Sequence, residues 1–306
     1  MSFSNSLKQS LKKLRTSQPF NRIATSGARS ILTITGAKTD FFAKHLHRID
    51  LVETTLPNGN IFRLRSKADD WVSNQVFWRN WNGYEPESSP LFFRLAQKAN
   101  VTVDVGAYVG FFTLLAAHAN PRSKVYCFEP LPSVYHRLQE NLALNKLENV
   151  EAISGAVGAE EGYAEFFHID GLELPTSSSL SYDFMKDGGK LSQTKVKIFQ
   201  LDKFAAEKGI EKIDLMKIDT ESTEPDVLRG ALNLLSRNHP DIVCEVLHGR
   251  GSERDLQEIL RPLGYRFYLL TPEGAVERNQ IEGHPEFLNY LFTKLSSDEL
   301  TKLKSP

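Results

Sequence analysis

Residues 101–115 read VTVDVGAYVGFFTLL, and the fold turns on how this stretch is parsed. VTVDV is β-branched and apolar, the composition of a short buried strand. FFTLLAAHA, from Phe111, is helix-forming and ends at Asn120-Pro121. Gly106 and Gly110 lie between them, so a strand turns sharply into a helix. The alternation repeats downstream. KVYCFE is a second strand, SVYHRLQENLALN a helix with Val134, Leu138 and Leu142 on one face, and VEAIS a third strand. Beyond an interruption at 155–200, IDLMKID, DIVCEVL, YRFYLL and NYLFTKL supply further strands, with helices around 226–235 and 253–260. Apolar strands alternating with helices predict a mostly parallel sheet covered on both faces. Such sheets bind ligands beyond the carboxyl ends of their strands, where the first glycine turn lies.

The turn disfavours a dinucleotide. A pyrophosphate seat wants GxGxxG, but Tyr108 stands at the second glycine position and Phe111 at the third. No Gly-Lys-Ser/Thr of a phosphate-binding loop follows. Asp104, two residues before Gly106, tolerates positive charge better than phosphate. Glu129 ends the second strand, 19 residues after Gly110, where an acid can accept two hydrogen bonds from a ribose diol. A cofactor with a ribose, an ammonium, a sulfonium and no phosphate fits both acids; S-adenosylmethionine is one. The bland alternative is a strand–helix turn with incidental acids.

The bulk composition is ordinary. The 306 residues are 41% hydrophobic and 25% charged, with a net charge of -1, so no global pull towards nucleic acid or membrane is expected. No apolar run approaches the roughly 18 residues of a membrane span. Cys127 and Cys244 sit in apolar strand-like runs, as buried thiols do, and no metal-binding spacing is present. The charge is uneven, however. Residues 1–39 hold Lys8, Lys12, Lys13, Arg15, Arg22, Arg29 and Lys38 and no acid, with Leu7, Leu11 and Leu14 at helical spacing. A solvated tail, a membrane-surface contact and an organelle transit peptide all fit this segment. The following LVETTLPNGNIFRLRS reads as a hairpin about Asn58-Gly59, followed by an aromatic-rich stretch at 71–84 and a helix in PLFFRLAQKA.

Taken in order, DVGAYVGFFTLL, FEPLPSVYHRLQENLALN, AVGAEEG, SSSL, MKIDTESTEPDVLRGA and NYLF resemble the FkbM-type S-adenosylmethionine-dependent methyltransferases over some two-thirds of the chain. The resemblance implies a Rossmann-like class I α/β fold, with a seven-stranded sheet of order 3-2-1-4-5-7-6 and strand 7 antiparallel. Its organisation would be a basic tail (1–40), an N-terminal hairpin and helical cap (41–95), a core (96–296) with an insertion at 158–200, and a C-terminal tail (297–306). In that order Cys127 and Cys244 would lie three strands apart, about 14 Å, too far for a disulfide. The resemblance also implies that Gly106, Ala107, Tyr108 and Gly110 cradle the methionine end, with Asp104 and Thr113 among the cofactor-binding residues. Glu129 would hold the ribose, Pro130, Leu131, Ala156 and Val157 would flank the adenine, and Asp219 would face the reacting methyl. Two positions depart from the family pattern: Tyr108 replaces the usual Asn, and Ser222 the usual Gly of Asp-x-Glu-Gly.

Methyl transfer is an in-line displacement that chiefly needs alignment, and a hydroxyl acceptor also needs a base. Asp219, Glu221 and His248 are the candidates. Glu245, near the end of an apolar strand, must either pair with a neighbour such as Lys217 or line the site. His168 is a weaker candidate. The SSSL segment at 177–180 reads as a solvent loop or a lid. Tyr182-x-x-x-Lys186 matches the short-chain dehydrogenase pair, but it lies in a loop-like region without dinucleotide glycines. The expected activity is O-methylation of a small molecule or glycan, with no metal and no nucleic-acid partner. The alternatives are a silent cofactor-binding scaffold or an oxidoreductase. A cytoplasmic location is expected. Peripheral membrane contact through the tail and homo-oligomer formation stay open.

Overall fold

The structure, a computed structural model, describes residues 17–35, 39–175, 178–186 and 189–303. The Leu7, Leu11 and Leu14 helix expected in the basic tail lies outside these residues, as do Thr176 and Ser177. The chain divides into two compact units, one ending at Tyr84 and the other beginning at Glu85.

In the first unit, α1 (Gln18–Thr35) and α2 (Asp40–His45) precede an antiparallel hairpin of β1 (Ile49–Thr55) and β2 (Ile61–Lys67), followed by α3 (Trp71–Arg79). Residues 18–35 are thus an 18-residue helix rather than tail. The hairpin loop is longer than an Asn-Gly pair implies. Leu56 donates to Asn60 O and Gly59 to Leu56 O, both at 2.9 Å, and only Gly59 takes a positive φ, +84°. Asp70 caps α3 by accepting from the Ser73 N–H at 2.6 Å.

The second unit is a mixed eight-stranded sheet. It comprises β3 (Val101–Val105), β4 (Lys124–Glu129), β5 (Val150–Ser154), β10 (Leu215–Ile218), β11 (Asp241–Glu245), β12 (Arg266–Thr271), β13 (Gly274–Arg278) and β14 (Asn289–Thr293). Their spatial order is β13-β12-β14-β11-β10-β3-β4-β5, with β14 antiparallel to both neighbours. The strand beyond the expected seven is β13, paired antiparallel with β12 at the edge. Its sequence, GAVER, is too polar to read as a strand. Both thiols are free and buried.

Strand alternation splits the core by face. Val103, Val105, Tyr126, Phe128, Met216, Ile218, Ile242 and Cys244 form one apolar cluster with side chains of α8 (Leu201–Lys208), α9 (Glu224–Arg229), α10 (Leu232–Asn238) and α11 (Ser252–Leu260). The single helix expected around 226–235 is broken at Gly230, where a Cβ would lie 2.1 Å from Gly158 O. On the other strand register stand Asp104, Cys127, Lys217 and Glu245, near α5 (Phe111–Ala119) and α6 (Pro132–Asn145). Helix α4 (Ser89–Ala96) belongs to this unit, not to the N-terminal hairpin as its sequence position suggested.

The interruption at 155–200 is a second sheet. β6 (Ala156–Val157), β9 (Leu191–Phe199), β7 (Gly162–Ile169) and β8 (Ser178–Ser179) pair in that order, with α7 (Tyr182–Met185) after β8. The expected C-terminal tail contains α12 (Ser297–Lys302), started by a reciprocal Ser296–Glu299 capping box.

Candidate active site

The carboxyl ends of β3, β4 and β10 meet at one place. Gly106 has φ +83°, and a Cβ there would lie 1.8 Å from Asp219 O, so only glycine lets the two strand ends approach. The Gly106 and Ala107 amides both donate to Phe128 O, at 3.1 and 3.0 Å, tying the turn to β4. Gly110 is also left-handed, with φ +91°, and Leu138 Cδ1 would stand 2.5 Å from its Cβ.

Glu129 is buried and locks two turns together. Its Oε2 accepts from the Tyr108 amide at 3.0 Å, and its Oε1 from the Leu131 amide at 2.9 Å. Burial pushes its carboxyl up to about 7, against the pull of those two amides. A carboxylate offers about four acceptor positions, so two amides leave room for a diol. Pro130, Leu131, Ala156 and Val157 are all buried beside it, and Val157 belongs to the apolar core.

Asp104 lies beneath the turn. Its Oδ2 accepts from Thr113 Oγ1 at 2.5 Å, so this pair holds α5 against β3. Burial pushes Asp104 up to about 6, partly offset by Thr113 and Lys217. Lys217 is its register partner on β10. The Lys217 ammonium is buried 3.1 Å from Asp219 Oδ2, 3.3 Å from Asn289 Oδ1, 3.9 Å from Glu85 Oε2 and 4.9 Å from the Phe112 ring centre. Burial pulls its pKa down, but Asp219, Glu85 and Glu245 more than offset this and hold it above the ordinary value. Glu245 does not take Lys217 as a hydrogen-bond partner. Its Oε2 is buried without one, and burial with repulsion from Asp219 and Glu221 raises its pKa well above the carboxylate range.

The turn after β10 carries the strain. Glu221 and Ser222 are left-handed in succession, with φ +56° and +82°. The Glu224 carboxylate steadies it, accepting from the Thr220 amide (3.1 Å), the Thr220 hydroxyl (3.1 Å) and the Ser222 amide (3.0 Å). Ser222 Oγ is buried with no partner. Burial, then repulsion from Asp219 and Glu224, pushes Glu221 up to about 8, with Arg250 and Lys217 opposing. His248 follows β11 with its ring exposed, and its Nδ1 lies 2.8 Å from Gly283 O. A carbonyl only accepts, so Nδ1 carries the proton and Nε2 is the acceptor nitrogen. His248 is therefore tied to the segment before β14, whereas Asp219 and Glu221 share one turn.

The insertion reaches both turns. Tyr108 Oη donates to Leu174 O at 3.3 Å, Ser133 Oγ to Glu173 O at 2.7 Å, and Ser179 Oγ to Glu221 O at 2.7 Å. His168 stays within the second sheet, 3.2 Å from Thr194 Oγ1.

The sequence did not single out Asn289, Glu85 or Glu224. Lys217 and Asn289 left a faint signal, each a polar residue in an otherwise apolar strand. Glu85 and Glu224 left none, because acids before or at a helix start are commonplace.

This sheet, with a glycine turn after its first strand and an acid ending the next, has a Rossmann-like α/β arrangement. Residues 104–267 match the Methyltransferase FkbM domain, and the chain belongs to that family. Its methyl donor is S-adenosylmethionine. Similar proteins include Methyltransferase 1 of Beauveria bassiana, 25% identical over 56% of this chain and 75% of that protein. Another is the 31-O-demethyl-FK506 methyltransferase FkbM of Streptomyces tacrolimicus, 27% identical over 71% of this chain and 90% of that protein. A solved FkbM methyltransferase from Methylobacillus flagellatus is 15% identical, with a TM-score of 0.44. The match covers 75% of this chain and only 56% of that one.

Proposed function

We propose that the protein transfers a methyl group from S-adenosylmethionine to a hydroxyl of a small molecule or glycan. The observation that carries this reading is the pair Asp219 and Glu221 at the end of β10, against the glycine turn, with Glu221 held up to about 8. A carboxylate with a pKa near the working pH is suited to take a hydroxyl proton.

The cofactor supplies an electrophilic methyl carbon on a sulfonium. Glu129 keeps acceptor positions for the ribose diol, and the amides and glycines of 106–110 form the cradle for the methionine end. Leu131, Pro130, Ala156 and Val157 supply apolar surface for the base. Asp219, at the end of β10, would hold the acceptor hydroxyl in line. Glu221 would take the proton from the acceptor hydroxyl. His248, with Nε2 as acceptor, is the second candidate base. The O-methylating FkbM relative supports a hydroxyl acceptor.

The test is transfer of labelled methyl from S-adenosylmethionine to a panel of glycans and hydroxylated small molecules. Label in ether-linked product supports the reading; label on nitrogen or carbon acceptors alone contradicts it. One observation favours a second reading, a silent cofactor-binding scaffold. Tyr108 of the glycine turn holds Leu174 and Ser133 of α6 holds Glu173, and the scaffold predicts cofactor binding with no turnover on any acceptor.

A further inference from the structure

Helix α1 presents the wrong face to water. Phe20, Ile23, Ile31 and Ile34 fall at helical spacing on one side, with Gly27 between them. They are 43%, 75%, 62% and 84% exposed. The side turned to the hairpin is mostly polar: Asn21, Thr25 and Leu32 are the buried residues. That polar face is pinned. Asn21 Nδ2 donates to His47 O at 2.9 Å, and Asn21 Oδ1 accepts from the Ile49 amide at 2.8 Å. Arg48 Nη1 reaches Arg22 O, Thr25 Oγ1 and Ser26 Oγ at 3.0, 2.7 and 3.0 Å. The helix cannot roll to bury its isoleucines without breaking these bonds.

A cavity of about 580 Å³ opens beside this stripe, lined in part by Ser26, Arg29, Ser30, Ile34, Arg48 and Glu53. Ile34 belongs to both cavity and stripe. Arg48 is 7% exposed, and its Nε is buried without a hydrogen-bond partner. Glu53 is already engaged by Arg63 at 2.7 Å. Arg29, which donates to Asn80 Oδ1 at 2.8 Å, and Arg48 bring two guanidiniums beside two hydroxyls, a set that suits a phosphate ester.

We propose that this face docks on an anionic membrane surface, with the stripe in the interface and a phosphate headgroup in the Arg29–Arg48 cavity. Charge complementarity selects the occupant. Residues 1–39 carry seven bases and no acid, and basic residues near an anionic leaflet add attraction to whatever apolar area is inserted. Among the described residues, no helix is long and apolar enough to cross a bilayer.

The full chain would be sedimented with phosphatidylcholine vesicles, with and without phosphatidylglycerol. The expected result is pelleting with the anionic vesicles only. Ile23→Ser/Ile31→Ser, both at exposed positions, should weaken pelleting by roughly a hundredfold with an unchanged circular dichroism spectrum. Arg29→Gln should weaken it less, by roughly fivefold. Four outcomes overturn the proposal. Native protein that does not pellet has no such surface. A double variant that pellets as well as the native chain places the contact in residues 1–16. A native dimer made monomeric by the double variant, without pelleting, makes the stripe a contact between copies. Thermal stabilisation by inorganic phosphate without vesicle binding assigns the cavity to a soluble phosphate.

Discussion

A β-carbon on Gly106 would lie 1.8 Å from the carbonyl oxygen of Asp219. The glycine turn and the turn after β10 are therefore one joint, in which neither can shift alone. Gly106→Ala adds this clash to a residue held at φ +83°. A cost above about 3 kcal/mol is expected, seen as a fall in melting temperature of roughly 10 °C or more. A variant melting within about 2 °C of the native protein would show that the joint gives freely.

Ser222→Gly should have the opposite effect. Ser222 holds φ +82° with its hydroxyl buried and unpartnered. Glycine relieves both, for a gain of about 1–2 kcal/mol and roughly 2–6 °C in melting temperature. A loss of stability would mean that the hydroxyl has a partner in solution.

Glu221 gives a pH signature. A base acts deprotonated, so the rate should climb about tenfold per pH unit below its pKa and level off near pH 8. Glu221→Gln should lower kcat by roughly 10²–10⁴-fold and flatten that limb. If the limb survives in Glu221→Gln and disappears in His248→Asn, the histidine is the base.

Stability should fall as pH rises. Folded-state values of about 6 for Asp104, about 7 for Glu129 and about 8 for Glu221 all lie above their unfolded values. From about pH 4 to 8 the native state keeps protons that the unfolded chain has released, so each step upward favours unfolding. The urea midpoint should be lower at pH 8.5 than at pH 5.5, and Asp104→Asn should remove part of the difference. A midpoint that rises over this interval would contradict the burial assigned to these carboxyls.

The sheet was legible because its signals are local. VTVDV, KVYCFE and DIVCEVL are short apolar runs bounded by glycines, prolines or acids, and parallel strands buried on both faces demand such runs. The glycine turn was legible because Gly106 and Gly110 stand between an apolar strand run and a helix-forming run, and both take a positive φ. The polar joint behind it was not. Lys217, Asn289 and Glu85 lie far apart in the chain, and strand register and helix packing bring them together. Strand β13 was invisible because GAVER gains its partner only from the edge of β12. The outward apolar face of α1 was hidden for a related reason. Its spacing shows that one side is apolar, but only the Asn21 and Arg48 hydrogen bonds decide which side faces the protein.

Calorimetric titration of the native protein and Glu129→Gln with S-adenosylmethionine would show whether Glu129 holds the ribose. The native protein should bind the cofactor. Because ribose hydroxyls favour the ionised Glu129, binding should tighten as pH rises through about 7 and release protons below it. Glu129→Gln should bind roughly 10–150-fold more weakly, the loss of a charged hydrogen bond, with no proton release. Equal affinity in the two proteins, or tighter binding at low pH, would contradict the account.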